Sequence, residues 1–240
     1  MLAVGASFVG LSKSGIPGVG IVIVGVFSNL MPPKLATGVV LPLLIVGDVF
    51  AVSAYRKHTR WGHVFRLFPW TIPGVVAGYF ALKWIDNRGA SLLIGGILLF
   101  MMGMHFWRKR QDAAKLEHEV AEHAVWFAPM AGFLAGFTTQ VANAAGPVMI
   151  IYLLAMRLPK WEFLGTGAAY FFALNLFKVP FMVNLGLITT DTLRMNLWLA
   201  PAVVAGSLVG RFVAKRVSQK LFEGLAVVFT VAAAVKLLLG

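Results

Sequence analysis

The sequence predicts an all-α integral membrane protein with about eight hydrophobic segments in two inverted-topology repeats, each repeat opening on a broken or re-entrant segment. Three observations carry that reading. The chain of 240 residues is 59% hydrophobic and only 12% charged, with a mean hydropathy of +0.83; a soluble domain carries roughly twice that charged fraction. Several apolar runs reach about 20 residues, enough to cross a hydrocarbon core of about 30 Å. The chain also repeats itself 128 residues on: Trp70-Thr71-Ile72-Pro73-Gly74-Val75-Val76-Ala77-Gly78 returns as Trp198-Leu199-Ala200-Pro201-Ala202-Val203-Val204-Ala205-Gly206. Lys83 and Arg88 return as Arg211 and Arg216, Gly96 as Gly224 and Gly18 as Gly146, while Thr37-Gly38 recurs one residue out of step as Thr166-Gly167. A duplicated apolar chain broken at corresponding points is the pattern of a secondary transporter.

Segment 1 runs from Met1 to about Leu30 and is interrupted between Gly10 and Gly18 by Leu11-Ser12-Lys13-Ser14-Gly15-Ile16-Pro17. Segments 2, 3 and 4 cover about Leu35–Tyr55, Leu67–Trp84 and Ala90–Trp107. A polar stretch from Arg108 follows, so the first repeat is 1–107 and a cytoplasmic linker is 108–124. The second repeat, 125–240, opens with segment 5, Val125–Ala155, interrupted between Gly136 and Pro147. Segments 6, 7 and 8 are about Phe163–Leu187, Leu193–Phe212 and Leu221–Leu239.

Charge placement chooses between parallel and inverted halves. With segments 1 and 5 as single crossings, Arg56, Lys57, Arg60 and Arg66 are inside but Arg211, Lys215, Arg216 and Lys220 fall outside, against the positive-inside rule. With both as hairpins that enter and leave on one side, every strong basic cluster is cytoplasmic. The repeats are then inverted and both termini lie outside. Lys83 and Arg88, offset by Asp86 alone, fit that topology least well.

The net charge of +12 does not indicate nucleic acid, because the basic residues sit between apolar spans, where headgroups and the membrane bias place them. With zero cysteines there is no disulfide, thiolate metal site or thiol catalysis. The apolar start lacks a basic region and a cleavage site, so it reads as mature structure rather than a signal peptide. His118-Glu119-Val120-Ala121-Glu122-His123 spaces its histidines about 140° apart on a helix, unlike the i, i+4 pair of HExxH. No phosphate loop or G-x-S-x-G elbow is present. No metal, no cofactor and no enzymatic activity are expected.

The chemistry is expected at the two breaks. Unwound backbone at membrane depth is tolerated where it is buried in protein or lines a cavity, and a half-helix starting there presents free N–H groups to an anion. Ser12, Ser14 and Gly15 in the first break and Thr138, Thr139, Gln140 and Asn143 in the second add small neutral groups, and Lys13 adds positive charge. The alternative is that the glycines serve helix packing and the hydroxyls cap helix ends. For Gly74-x3-Gly78, Gly132-x3-Gly136 and Gly206-x3-Gly210, close helix packing is the expected role. Two ionic residues lie inside spans, Asp48 and Lys178, at a cost of about 2.5–3.5 kcal/mol each that calls for a partner or a task. They either pair with each other across the pseudo-two-fold axis or stand at separate points on a path, Lys178 attracting substrate and Asp48 carrying a coupling proton. Asn175, one turn before Lys178, faces the same region.

Leu41-Pro42-Leu43-Leu44-Ile45-Val46-Gly47-Asp48 with Tyr55-Arg56-Lys57-His58 and Leu67-Phe68-Pro69-Trp70 resembles the sulfite exporter TauE/SafE family. So do Gly136-Phe137-Thr138-Thr139, Asn143-Ala144-Ala145-Gly146-Pro147, Gly165-Thr166-Gly167 and Asn175-Leu176-Phe177-Lys178-Val179-Pro180-Phe181. The resemblance implies a multi-pass permease of the bacterial inner membrane that moves small sulfur-containing anions: sulfite, thiosulfate or organosulfonates such as sulfoacetate. The family's first break is typically richer in glycine than Ser12-Lys13-Ser14, so substrate preference is expected to differ. A passive anion channel, a membrane-embedded enzyme and a helper subunit of a larger complex remain alternatives.

Overall fold

The computed structural model describes residues 1–15, 23, 27, 30–84, parts of 86–103, and 118–239. The end of the first break, part of segment 4 and linker residues 108–117 lie outside the described residues. Among the described residues all regular structure is helical: α1 (Leu2–Ser14), α2 (Pro33–Tyr55), α3 (Trp61–Trp84), α4 (His118–Ala142), α5 (Ala145–Ala155), α6 (Lys160–Asn184), α7 (Thr190–Arg216) and α8 (Gln219–Leu239), with a 3-10 turn at Arg56–His58. Three stretches among these residues are long and apolar enough to cross a membrane: Leu35–His58, Lys160–Asn184 and Thr190–Arg216.

Local sequence explains the boundaries. Pro33 opens α2 at a position where its missing N–H costs nothing, and Thr189 starts α7 with a reciprocal capping box to Thr192. Prolines also sit inside α2, α3, α4, α6 and α7, a frequency that neighbouring helices in a membrane bundle tolerate. α5 is apolar all round, and its residues Val148–Leu153 are buried, so it forms part of the core rather than its surface.

At the repeat offset of 128 residues, α1 falls on the end of α4, α2 on α6 and α3 on α7. Partners are exchanged between the halves: α3 packs on α4, and α1 packs on α7. In both pairs the helices run parallel, for Leu67, Thr71 and Val75 meet Gly132 and Gly136, and Ser7 and Leu11 meet Gly206 and Gly210. α2 and α6 cross antiparallel, Tyr55 lying beside Trp161 while Asp48 meets Asn175. The corresponding helices α2 and α6 therefore run in opposite directions.

The small-residue motifs do what their spacing predicts. A Cβ at Gly74, Gly136 or Gly206 would overlap the backbone carbonyl of Phe133, Thr71 or Ser7 respectively, so these helices touch backbone to backbone. Gly224, on α8, has nothing within 4 Å of a Cβ. Gly206→Ala is therefore expected to cost about 1–3 kcal/mol through overpacking, whereas Gly224→Ala should be neutral or stabilising by up to about 1 kcal/mol. Unfolding of the two variants in detergent checks the opposite signs.

The end where α2 stops and α6 starts is strongly basic. Thr59 Oγ1 donates to the Gly165 carbonyl at 3.1 Å and the Arg60 N–H to Thr166 Oγ1 at 3.0 Å. Arg60 pairs with Glu162 at 2.5 Å, and Lys160 Nζ donates to the Val217 carbonyl at 2.5 Å, drawing in the end of α7. The exposed Arg60 side chain is held up in pKa by the Glu162 carboxylate. Because the Arg60–Glu162 pair is solvated, Glu162→Gln should lower stability by no more than about 1 kcal/mol, checked by the same unfolding measurement.

Candidate functional site

The second break is much shorter than the sequence suggests, and the first begins later. α1 stays helical through Ser14, so Gly10 to Ser14 are not unwound. α4 stays helical through Ala142, and only Asn143 and Ala144 separate it from α5. Asn143 makes the turn with φ 51°, the left-handed conformation that asparagine tolerates best after glycine. At the repeat offset it falls on Gly15, the residue that ends α1. The glycines that the sequence reading assigned to the breaks are mostly packing positions, and the helical hydrogen bonds of the flanking turns keep the backbone satisfied. α5 begins beside Asn143 with no side-chain cap at Ala144, leaving the donor end of a half-helix at the break.

Two polar clusters meet on one face of α6. In the first, Lys13 from the last turn of α1 forms an ion pair with Asp48 Oδ1 at 2.7 Å. Asn175 Nδ2 donates to Asp48 Oδ2 at 2.6 Å, and the Lys13 ammonium lies 4.3 Å from the centre of the Phe171 ring. In the second, one turn farther along α6, Lys178 Nζ reaches the Thr139 carbonyl at 2.7 Å, Thr139 Oγ1 at 3.0 Å and Asn143 Oδ1 at 2.6 Å. Asn143 Nδ2 in turn donates to the Thr37 carbonyl of α2 at 2.9 Å. Asp48 and Lys178 are both fully buried. The carboxylate has a cationic partner, whereas Lys178 is held by neutral oxygens.

The remaining expected site residues divide. Gln140, on the same helical turn as Thr139, is fully buried, and neither atom of its amide has a partner among the described residues. Thr138 does not join, since its hydroxyl donates back to the Leu134 carbonyl at 2.7 Å. Ser14 Oγ is buried without a partner among the described residues, and Ser14 contributes its carbonyl, which accepts from Tyr55 Oη at 2.6 Å. Gly15 packs against Gly210, and Ser12 is half-buried on the Lys13 turn. Of the two arrangements expected for Asp48 and Lys178, they do not pair directly but hold separate partners, Asp48 against Lys13 and Asn175 and Lys178 against Thr139 and Asn143. Among the described residues no cluster of His, Asp or Glu has the makings of a metal site.

Sequence reasoning missed Tyr55, Phe171 and the Lys13–Asp48 pair. The signal for the last was available, because Lys13 is the one ionic residue in segment 1 and an intramembrane carboxylate needs a cation. Tyr55 and Phe171 look like ordinary core aromatics in sequence and gain their roles from where α1 ends.

The model of the sulfite exporter TauE/SafE family matches residues 2–237. The chain belongs to that family. Membership spans nearly the whole chain and implies an integral membrane transporter of the sulfite-exporter type. No curated protein matches the chain, and no solved structure matches it.

Proposed function

We propose that the protein is a secondary transporter of small sulfur oxyanions, such as sulfite, thiosulfate or organosulfonates like sulfoacetate, working by alternating access in a bacterial inner membrane. The observation that carries this reading is Lys178: a fully buried amine side chain, beside a two-residue helix break, whose partners are all neutral and which has no counter-ion if it is charged. A buried charge without a counter-ion is costly, and an anion supplies what it lacks. Gln140, with an unpartnered buried amide on the adjoining turn, supplies N–H donors to the oxygens of such an anion, and the start of α5 supplies backbone donors.

The opposed directions of the corresponding helices α2 and α6 support two inverted repeats of four segments each, and the basic end of the bundle is the cytoplasmic one. The α2–α6 crossing, where both halves contribute, is then the pivot of alternating access, with one bundle rocking against the other. Passage is coupled to protons through the ionic groups at this crossing.

The test is flux into proteoliposomes of sulfite, thiosulfate, sulfoacetate, sulfate and acetate, with and without a pH gradient. Saturable uptake of a sulfur anion supports the transporter; flux that rises linearly without saturation points to a channel instead. No flux from folded protein removes the reading. Within it, Gln140→Leu should raise KM for the transported anion roughly tenfold, the loss of about 1.4 kcal/mol of hydrogen bonding, while leaving unfolding in detergent unchanged or later.

A further inference from the structure

Asp48 and Lys178 are both buried and ionisable, yet the geometry around them differs in a way that bears on which one handles a proton. Each carboxylate oxygen of Asp48 already faces a donor: Oδ1 the Lys13 ammonium at 2.7 Å and Oδ2 the Asn175 amide at 2.6 Å. A protonated carboxyl would need an acceptor at one of these places, and both are occupied by groups that only donate. This arrangement is the one expected of an ionised Asp48 serving as counter-ion to Lys13.

Lys178 stands in the opposite situation. Its three partners suit an ammonium that donates to the Thr139 carbonyl, Thr139 Oγ1 and Asn143 Oδ1. They suit a neutral amine equally well, one that donates to the carbonyl and the amide oxygen and accepts from the Thr139 hydroxyl, which can play either part. Asn143 is held with its oxygen toward Lys178 because its amide nitrogen donates to the Thr37 carbonyl. The charged groups acting on Lys178 are Lys13 and Asp48, and those two already neutralise each other. Phe127–Ala142 of α4 contains no ionisable residue. On α3, Tyr79 donates to Asn184 and Lys83 lies over the Tyr79 ring, farther toward the end of α6. Tyr170 of α6 is paired with Thr71.

We propose that Lys178, not Asp48, carries the coupling proton: it is a neutral amine in the empty site and takes up one proton when an anion binds beside it. This rests on the transport reading above. The amine nitrogen gains H⁺ from solvent as the anion arrives and returns it to solvent on the far side as the anion leaves, so one proton travels with each anion. Lys13 and Asp48 keep the rest of the site at zero net charge throughout. A monoanion then moves without net charge, and a dianion carries one net negative charge.

The test uses probes whose own charge is fixed near neutral pH, thiosulfate as dianion and methanesulfonate as monoanion. Purified wild-type protein in weakly buffered detergent should take up one proton for each anion bound. In proteoliposomes, anion flux should be accompanied by an equal proton flux, with membrane current for thiosulfate only. Lys178→Arg, which cannot release its proton, should bind anion without proton uptake, and the double variant Lys13→Met with Asp48→Leu, which removes both charges of the pair together, should retain one proton per anion. Binding of anion by the wild-type protein without proton uptake would overturn the assignment while leaving transport intact. So would coupling that is lost in the double variant and kept in Lys178→Arg. Absence of any anion flux or binding would take the transport reading and this assignment down together.

Discussion

Lys178→Met is expected to lower anion binding and flux roughly tenfold to several-hundredfold. Methionine is nearly the same length and has no charge, so the side chain still fills its place on α6 while the counter-charge for the anion disappears. A hydrogen bond to a charged group contributes about 1.5–3 kcal/mol, and a charge at mid-helix left without its partner costs about 2.5–3.5 kcal/mol. Every 1.4 kcal/mol is a factor of ten in affinity, so either figure alone gives a tenfold to several-hundredfold loss. Thr139 and Asn143, whose oxygens hold Lys178 at 2.6–3.0 Å, lose a donor in the variant, and a modest drop in stability accompanies the lost function. Titration of the variant with the transported anion is the check, and unchanged affinity in folded protein would remove Lys178 from the site.

Lys13→Met is expected to be the more destabilising change. It leaves the fully buried Asp48 carboxylate with Asn175 as its one remaining partner among those described. Removing one member of a buried ion pair costs about 3–5 kcal/mol, whereas replacing both by apolar residues is often neutral. The double variant Lys13→Met with Asp48→Leu should therefore recover most of the stability lost by Lys13→Met alone, and the double-mutant cycle isolates the pair. Additive losses would mean that Lys13 stabilises the fold through its 4.3 Å contact with Phe171 rather than through Asp48.

Much of the helical architecture is legible in the sequence because the hydrophobic runs and the Trp70/Trp198 repeat are long-range, strongly redundant signals. The packing role of Gly74, Gly136 and Gly206 follows from small residues four apart. The breaks were harder to read. Gly10 and Gly15 look like helix interrupters one residue at a time, yet each lies at a close helix crossing with α7, and glycine alone cannot distinguish the two uses. Ionic partners were harder still. Sequence offset sets Asp48 near Lys178, but Asp48 of α2 meets Asn175, one turn before Lys178 on α6, and the end of α1 delivers Lys13 to the carboxylate. Such a pairing depends on where a helix terminates in space, which no local pattern encodes.

The exchange of helix partners has a consequence for how the chain is made. α1 lies against α7 as well as α2, and α3 against α4, so the first half holds only part of the surface on which its own first helix rests. During synthesis α1 is made before α7, and Gly10 and the Ser7 carbonyl have no α7 against them until Thr190–Arg216 follows. Assembly of the first half thus finishes only with the second. A chain released early leaves a small-residue helix face seeking a neighbour, and that is the species a membrane quality-control protease would meet.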